Sequence, residues 1–104
     1  MPSPFTHINQ VKAANASIGH HFFEPDTLRF FRSRVGSELI HGRFFITSEQ
    51  FVPTRGPAAA RLYTVRFAKD DGSIESVPSF QHFGTRRQAL AYARKLDPER
   101  IALQ

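Results

Sequence analysis

The spacing of apolar and polar residues predicts the helices of this chain. Apolar residues recur at helical intervals over His7–Ser17, where Thr6 can cap the helix and Gly19 provides a left-handed stop. A second helix is predicted from Pro25, a residue type preferred at the first helical position, to a stop at Gly36.

The third helix has the strongest signals. Thr85 and Gln88 form a capping-box pattern, and Pro98 ends the helix. Its alanine-rich stripe at helical spacing predicts close packing on a sheet.

Alternating and aromatic-rich segments predict three strands, over Glu38–Ser48, Arg61–Ala68 and Ser73–Val77. In the middle strand, Tyr63, Val65 and Phe67 point to one face and their neighbours to the other. Residues 70–72, Asp-Asp-Gly, favour a hairpin turn, whereas 52–60 reads as a long loop between strands.

These elements predict an α+β fold in the order ααβββα. The strands form an antiparallel meander, and the third helix covers one face. The other face either packs the first two helices or faces solvent and a ligand. We expect one domain over 1–104 with loose ends at 1–5 and 98–104. The predicted core comprises Phe31, either Phe44 or Phe45, Val65, Phe67, Ala89, Ala93 and Leu96.

Composition excludes several classes of protein. The chain has no cysteine, which excludes a disulfide scaffold, a thiolate zinc site and a cysteine nucleophile. No apolar run approaches the roughly 18 residues of a membrane span, and the first residues lack a secretory signal. We therefore expect a cytoplasmic protein with no membrane partner.

Charge is the first functional indication. Fourteen Lys and Arg face nine Asp and Glu, for a net charge of +5, and eleven of the fourteen are arginine. Arginine suits bidentate contact with phosphate or carboxylate, and positive charge attracts polyanions. An ordinary charged surface is the alternative.

The sharpest local signal lies at the start of the third helix. Arg86 and Arg87 stand where cations oppose the helix dipole and where free backbone N–H groups bind anions. Arginines on the outer side of the sheet are expected to extend this surface. The predicted binding set for nucleic acid or an acidic partner is Arg86, Arg87, Arg66, Arg94, Lys95, Arg61 and Arg43. Arg29 and Arg32 are expected on one face of the second helix.

Catalytic and metal chemistry find little support. The histidines lack the spacing of a metal site, and no phosphate-binding loop or nucleophile elbow occurs. Ser48, His41 and Glu49 have the residue types of a catalytic triad, but no sequence motif supports one. The eleven phenylalanines indicate either a sheet buried on both faces or a platform for stacking bases. We expect a non-enzyme without metal or cofactor.

Three resemblances add expectations. Residues 62–67, 70–72 and 84–93 resemble the sheet-and-helix DNA-binding modules of integrase arm-binding and AP2 domains, although this chain has no tryptophan. The arginines that follow Gly84 resemble the basic cluster of double-stranded-RNA-binding domains. Residues 21–31 and 42–49 look like a family of small uncharacterised phage, prophage and plasmid proteins, which implies an origin in a mobile element.

Two functions remain open. One is nucleic-acid binding through an arginine-rich sheet and helix surface. The other is inhibition of a host or anti-phage defence protein, an anti-CRISPR-like role, by docking on an acidic surface.

Overall fold

A computed structural model describes residues 5–30, 32–77 and 82–99 of the chain. These residues form an α+β fold with three helices and one four-stranded sheet. The elements in chain order are α1 (Ile8–Ser17), α2 (Pro25–Phe30), β1 (Arg34–Val35), β2 (Phe44–Glu49), β3 (Leu62–Ala68), β4 (Ile74–Ser76) and α3 (Arg86–Arg94). No helix among the described residues has the length and apolarity that crossing a membrane requires.

The sheet is an antiparallel meander in the order β1-β2-β3-β4. The predicted meander is confirmed, but the prediction of three strands is wrong, because β1 forms a fourth strand at the edge beside β2. The predicted turn at residues 70–72 connects β3 to β4, and residues 50–61 connect β2 to β3. Phe44 pairs with Phe67 in the central ladder, which brings two rings to the same face.

The second helix is shorter than predicted. It ends at Phe30 rather than Gly36, because the chain closes a Schellman motif. The N–H of Ser33 donates to the carbonyl of Leu28 at 2.7 Å, and the N–H of Arg32 donates to that of Arg29 at 3.1 Å. Arg32 has a φ of 51°, in the left-handed region where glycine is usual. An arginine at this position gave no sequence signal of a helix end.

The core between α3 and the sheet matches the prediction closely. Phe44, Val65, Phe67, Ala89 and Ala93 are buried together there, and Leu96 packs against them partly buried. Phe45 belongs to the opposite face, and Phe31 lies outside the described residues. Thr85 caps α3 as predicted, since its side chain accepts a hydrogen bond from the N–H of Gln88 at 3.1 Å.

The opposite face of the sheet packs against α1, which resolves the alternative left open by the sequence. Ile8 and Val11 of α1 are buried against Phe45 and Ala68 of the sheet. The helix cap is His7, whose side chain accepts from the N–H of Asn9, and the predicted Thr6 cap is wrong. The sheet is therefore buried on both faces at this end.

The short helix α2 lies outside these two cores. None of its six residues, all described by the structure, is buried. The predicted loose ends at 1–5 and 98–104 fall mostly outside the described residues. Phe5 is the N-terminal exception, since its N–H donates to the carbonyl of Gly42 at 3.0 Å.

Candidate functional site

The predicted basic residues of α3 are exposed, as expected, but half of them share one carboxylate. Arg86 and Arg94 approach Glu38 at 3.6 Å and 3.4 Å, one on each carboxylate oxygen. Within the described part of the chain, Arg87 and Lys95 make no ion pair. Glu38 thus offsets part of the positive charge that the sequence placed on this helix.

Arg66 does not join the α3 group, and its predicted outward orientation is wrong. It lies on the face of the sheet opposite α3, where Nη2 donates to Glu49 at 3.0 Å and Nε donates to Thr47 at 2.9 Å. Nη1 donates to Ser76 at 2.7 Å, and the guanidinium lies over the ring of Phe22. Its donors are used inside the protein, so it ties β2, β3 and β4 together.

Arg43 is also turned inward, against the prediction. Its side chain is only 7% exposed and forms an ion pair with Asp70. The guanidinium also donates to the carbonyl of Ala68 at 3.4 Å and lies over the ring of Phe5. A buried guanidinium with these partners holds the N-terminal segment and the β3–β4 turn and is closed to an external anion.

Arg61 occupies a third kind of setting. Its Nη1 donates to the carbonyl of Arg32 at 2.8 Å, and to the carbonyl and hydroxyl of Ser48 at 3.3 Å and 3.1 Å. These bonds tie the start of β3 to the residues that follow α2. They also restrain the orientation of the guanidinium, and Arg61 is one of the residues that line a cleft.

That cleft is the candidate site. It has a volume of about 460 Å³. It lies between the end of α2, the edge strand β1 and the adjoining ends of β2 and β3. Its lining residues are Leu28, Arg29, Arg32, Ser33, Arg34, Gln50 and Arg61.

The cleft concentrates cations with little to neutralise them. Four of the described lining residues are arginines and none is acidic. Arg29 has a single weak ion pair with Asp26 at 3.9 Å, and both side chains are exposed. Among the described residues, the guanidinium groups of Arg32 and Arg34 have no ion pair. Such a cluster favours a bound anion, because the like charges repel one another and the guanidinium groups of Arg32 and Arg34 are not neutralised by an ion pair with a described residue.

Of the predicted binding set, only Arg61 lines this cleft. Sequence reasoning missed the convergence because a helix continued to Gly36 would have kept Arg29 and Arg32 on one face and turned Arg34 to the opposite side. The left-handed conformation at Arg32 ends the helix instead and folds these arginines toward Arg61. The usable signal was the density of arginines between positions 29 and 34.

The structure separates Ser48, His41 and Glu49, the residue types of a catalytic triad. Ser48 lies on the α3 side of β2 with Arg61, and Glu49 lies on the other side with Arg66. His41 stands in the turn before β2, where its Nε2 contacts the carbonyl of Arg94 at 2.9 Å. No group of three potential metal ligands occurs within the described residues.

A polar network around Thr64, at the end of β2 and the start of β3, is better explained as structural. The hydroxyl of Thr64 lies 3.0 Å from Nδ1 of His82 and 3.3 Å from Glu49. Thr64 is only 1% exposed, so its hydroxyl is out of reach of a substrate. These contacts connect β3 to the end of β2 and to His82.

Comparison with known proteins places the chain in a family without assigning an activity. No curated protein and no solved structure matches it. Residues 7–94 match a family of unknown function, DUF7447. This span runs from the cap of α1 to the end of α3 and includes every residue that lines the cleft. The chain therefore belongs to DUF7447, a family of unknown function.

Proposed function

We propose that the protein is a small, non-enzymatic nucleic-acid-binding protein that contacts backbone phosphates through the arginine cleft. The observation that carries the proposal is the convergence of Arg29, Arg32, Arg34 and Arg61 on one concave surface, with no acidic residue among the described residues that line it. Guanidinium groups match phosphate oxygens in pairs, and binding releases counterions from the nucleic acid.

The backbone at Arg32 supports a role for its side chain. A left-handed conformation costs a non-glycine residue roughly 1–2 kcal/mol, and glycine would remove that cost. The position nevertheless carries an arginine that lines the cleft. Strained backbone conformations of this kind cluster at binding sites, where the side chain is required despite the conformational cost.

The orientation of Arg61 supports the same proposal. Its Nη1 bonds to Arg32 and Ser48 hold the guanidinium in place before any ligand arrives. A pre-oriented group loses less conformational entropy on binding than a free one. Phosphate contacts of this kind position a nucleic acid and carry little sequence information.

An origin in a phage, prophage or plasmid, with action in the bacterial cytoplasm, belongs to the same proposal. It rests on the sequence resemblance. Docking on an acidic host or defence protein is the competing function, and the experiment below separates the two.

The test compares the affinity of two double variants for a labelled oligonucleotide, and fluorescence anisotropy measures the binding. The cleft pair is Arg32→Gly with Arg34→Ala, and the matched pair on α3, with the same loss of charge, is Arg86→Ala with Arg87→Ala. We expect the cleft pair to lose about tenfold or more in affinity. The salt slope, which is the slope of log affinity against log salt concentration, should become shallower by roughly 1 to 2. The α3 pair should change affinity by less than about threefold, because losing exposed charges outside the site weakens only long-range attraction.

Arg32→Gly also controls for unfolding. It relieves the left-handed strain, so its melting temperature should stay unchanged or rise while its affinity falls. His41→Gly, at the other described non-glycine residue with positive φ, should keep its affinity. A larger loss in the α3 pair would move the site to Arg86 and Arg87. No binding by the natural protein at about 50 mM salt would overturn the nucleic-acid proposal and favour an acidic protein partner.

A further inference from the structure

Exposed apolar side chains occur close in sequence to the residues that line the arginine cleft. Phe51 is 71% exposed, Leu62 is 44% exposed and Val52 is 39% exposed. Phe51 directly follows the cleft residue Gln50 at the end of β2. Leu62 follows Arg61 in the chain, but it pairs with Glu49 and so points to the opposite face of the sheet. Phe51 is therefore an exposed aromatic residue next to the cleft lining.

The backbone beneath Phe51 is held in place. The carbonyl of Phe51 accepts from the N–H of Ala59 at 2.9 Å, and the side chain of Gln50 donates to the carbonyl of Ala59 at 3.1 Å. These two bonds pin the base of the β2–β3 loop. The ring of Phe51 is thus presented to solvent from a fixed backbone at the edge of the cleft.

An exposed aromatic ring beside a cluster of arginines matches the two parts of a nucleotide. Guanidinium groups bind the phosphate, and the ring offers a face on which a base can stack. An acidic protein surface would use the arginines and would leave the ring without a matching partner. The combination favours a nucleic acid whose bases are accessible.

The size of the cleft favours a single strand over a duplex. Its volume of about 460 Å³ is that of a small-molecule site. In a duplex the faces of the bases are covered by their neighbours, and only their edges are open in the grooves. A single strand can place its phosphates inside the cleft and turn an unstacked base onto the rim.

We propose that the protein binds single-stranded nucleic acid in preference to duplex, with phosphates in the arginine cleft and a base stacked on Phe51. This inference rests on the proposed function and narrows its ligand to a single strand. It also assigns Phe51, which the sequence did not single out, as a contact residue.

The experiment measures the affinity of a labelled mixed-sequence oligonucleotide of about 20 nucleotides, alone and annealed to its complement, at about 100 mM salt. We expect the single strand to bind at least about tenfold more tightly than the duplex. Phe51→Ala should lose about tenfold in affinity for the single strand without changing the salt slope, because it removes stacking and no charge. Phe51→Tyr should restore the affinity, since it keeps an aromatic face.

Val52→Ala is the matched control, because it trims an exposed apolar neighbour that cannot stack. It should bind like the natural protein. A single strand and a duplex that bind equally, with a neutral Phe51→Ala, would overturn the inference. If the cleft pair Arg32→Gly with Arg34→Ala still weakened binding in that case, the proposed function would stand. A polyglutamate chain that competes as well as an oligonucleotide of equal charge would also overturn the inference, because it would show that charge alone is recognised.

Discussion

Gly72 is the point at which the turn between β3 and β4 meets α1, and we expect its replacement by alanine to loosen that helix. A Cβ atom added at Gly72 would lie 2.6 Å from the amide nitrogen of Asn15 and 2.7 Å from the carbonyl oxygen of Ala14, with the carbonyl carbon of Ala14 closer still. These are backbone atoms of a helix and cannot rotate away. The helix itself must move.

The cost has two parts. Gly72 has a φ of 99°, which costs alanine roughly 1–3 kcal/mol whatever surrounds it. Displacing α1 also breaks two hydrogen bonds of Asn15, which donates to the carbonyl of Gly72 at 2.9 Å and accepts from the N–H of Phe22 at 3.3 Å. At about 1 kcal/mol each, these bonds add about 2 kcal/mol. Full release of α1 would add the exposure of Ile8 and Val11, about 1.5–3 kcal/mol each.

Gly56 supplies the matched control. It has a φ of 96°, and a Cβ added there meets nothing within 4 Å. Gly56→Ala therefore carries the conformational cost without the collision. We expect Gly72→Ala to exceed Gly56→Ala by at least about 2 kcal/mol in the free energy of unfolding, measured by urea denaturation with circular dichroism.

Hydrogen exchange adds a local readout. Amides of α1 should lose protection in Gly72→Ala, while those of β2 and β3 keep theirs. Two variants that differ by less than about 0.5 kcal/mol, with α1 equally protected in both, would refute the packing of α1 against this turn.

Two further predictions concern the α3 core and the same turn. Phe67→Ala should destabilise the fold by roughly 3–5 kcal/mol, because Phe67 is 3% exposed between the sheet and α3, and a denaturation shift below about 1 kcal/mol would contradict this. Two hydrogen bonds from Ser73, first from its backbone N–H and then from its hydroxyl, hold the pKa of Asp71 below its usual range. The stability that these bonds add to the fold is therefore complete above the pKa of Asp71 in the unfolded state, and it is lost as the pH falls through the pKa in the folded state. Ser73→Ala removes the hydroxyl bond and keeps the backbone one, so it should raise the pKa of Asp71 part of the way toward its ordinary value, and an unchanged carboxyl titration by NMR would count against the hydroxyl bond.

The location of a binding surface was harder to predict than the fold. Arg43 and Arg66 looked like outward-facing cations, yet each is turned inward by a carboxylate from another strand or turn, Asp70 and Glu49. Whether an arginine is free depends on which acidic residue folding brings beside it. That partner lies 27 positions away for Arg43 and 17 for Arg66, a separation that no local pattern reports.

The sequence by itself determined the elements whose signals are local. The cap at Thr85, the turn at residues 70–72 and the alternation through Tyr63, Val65 and Phe67 all lie within a few positions of the structure they specify. Each depends on backbone preferences or on the two-residue period of a strand, so neighbouring residues are sufficient to predict it.

Only the tertiary structure decided the edge strand and the cleft. The two residues of β1 are a strand because Arg34 and Val35 pair with Ser48 and Thr47 of β2, a long-range contact with almost no propensity signal of its own. Just before this strand the chain leaves α2 through a left-handed Arg32, whose carbonyl accepts a hydrogen bond from Arg61. The arginines converge because strand pairing and a side-chain bond between distant segments outweigh the helical periodicity of residues 25–35.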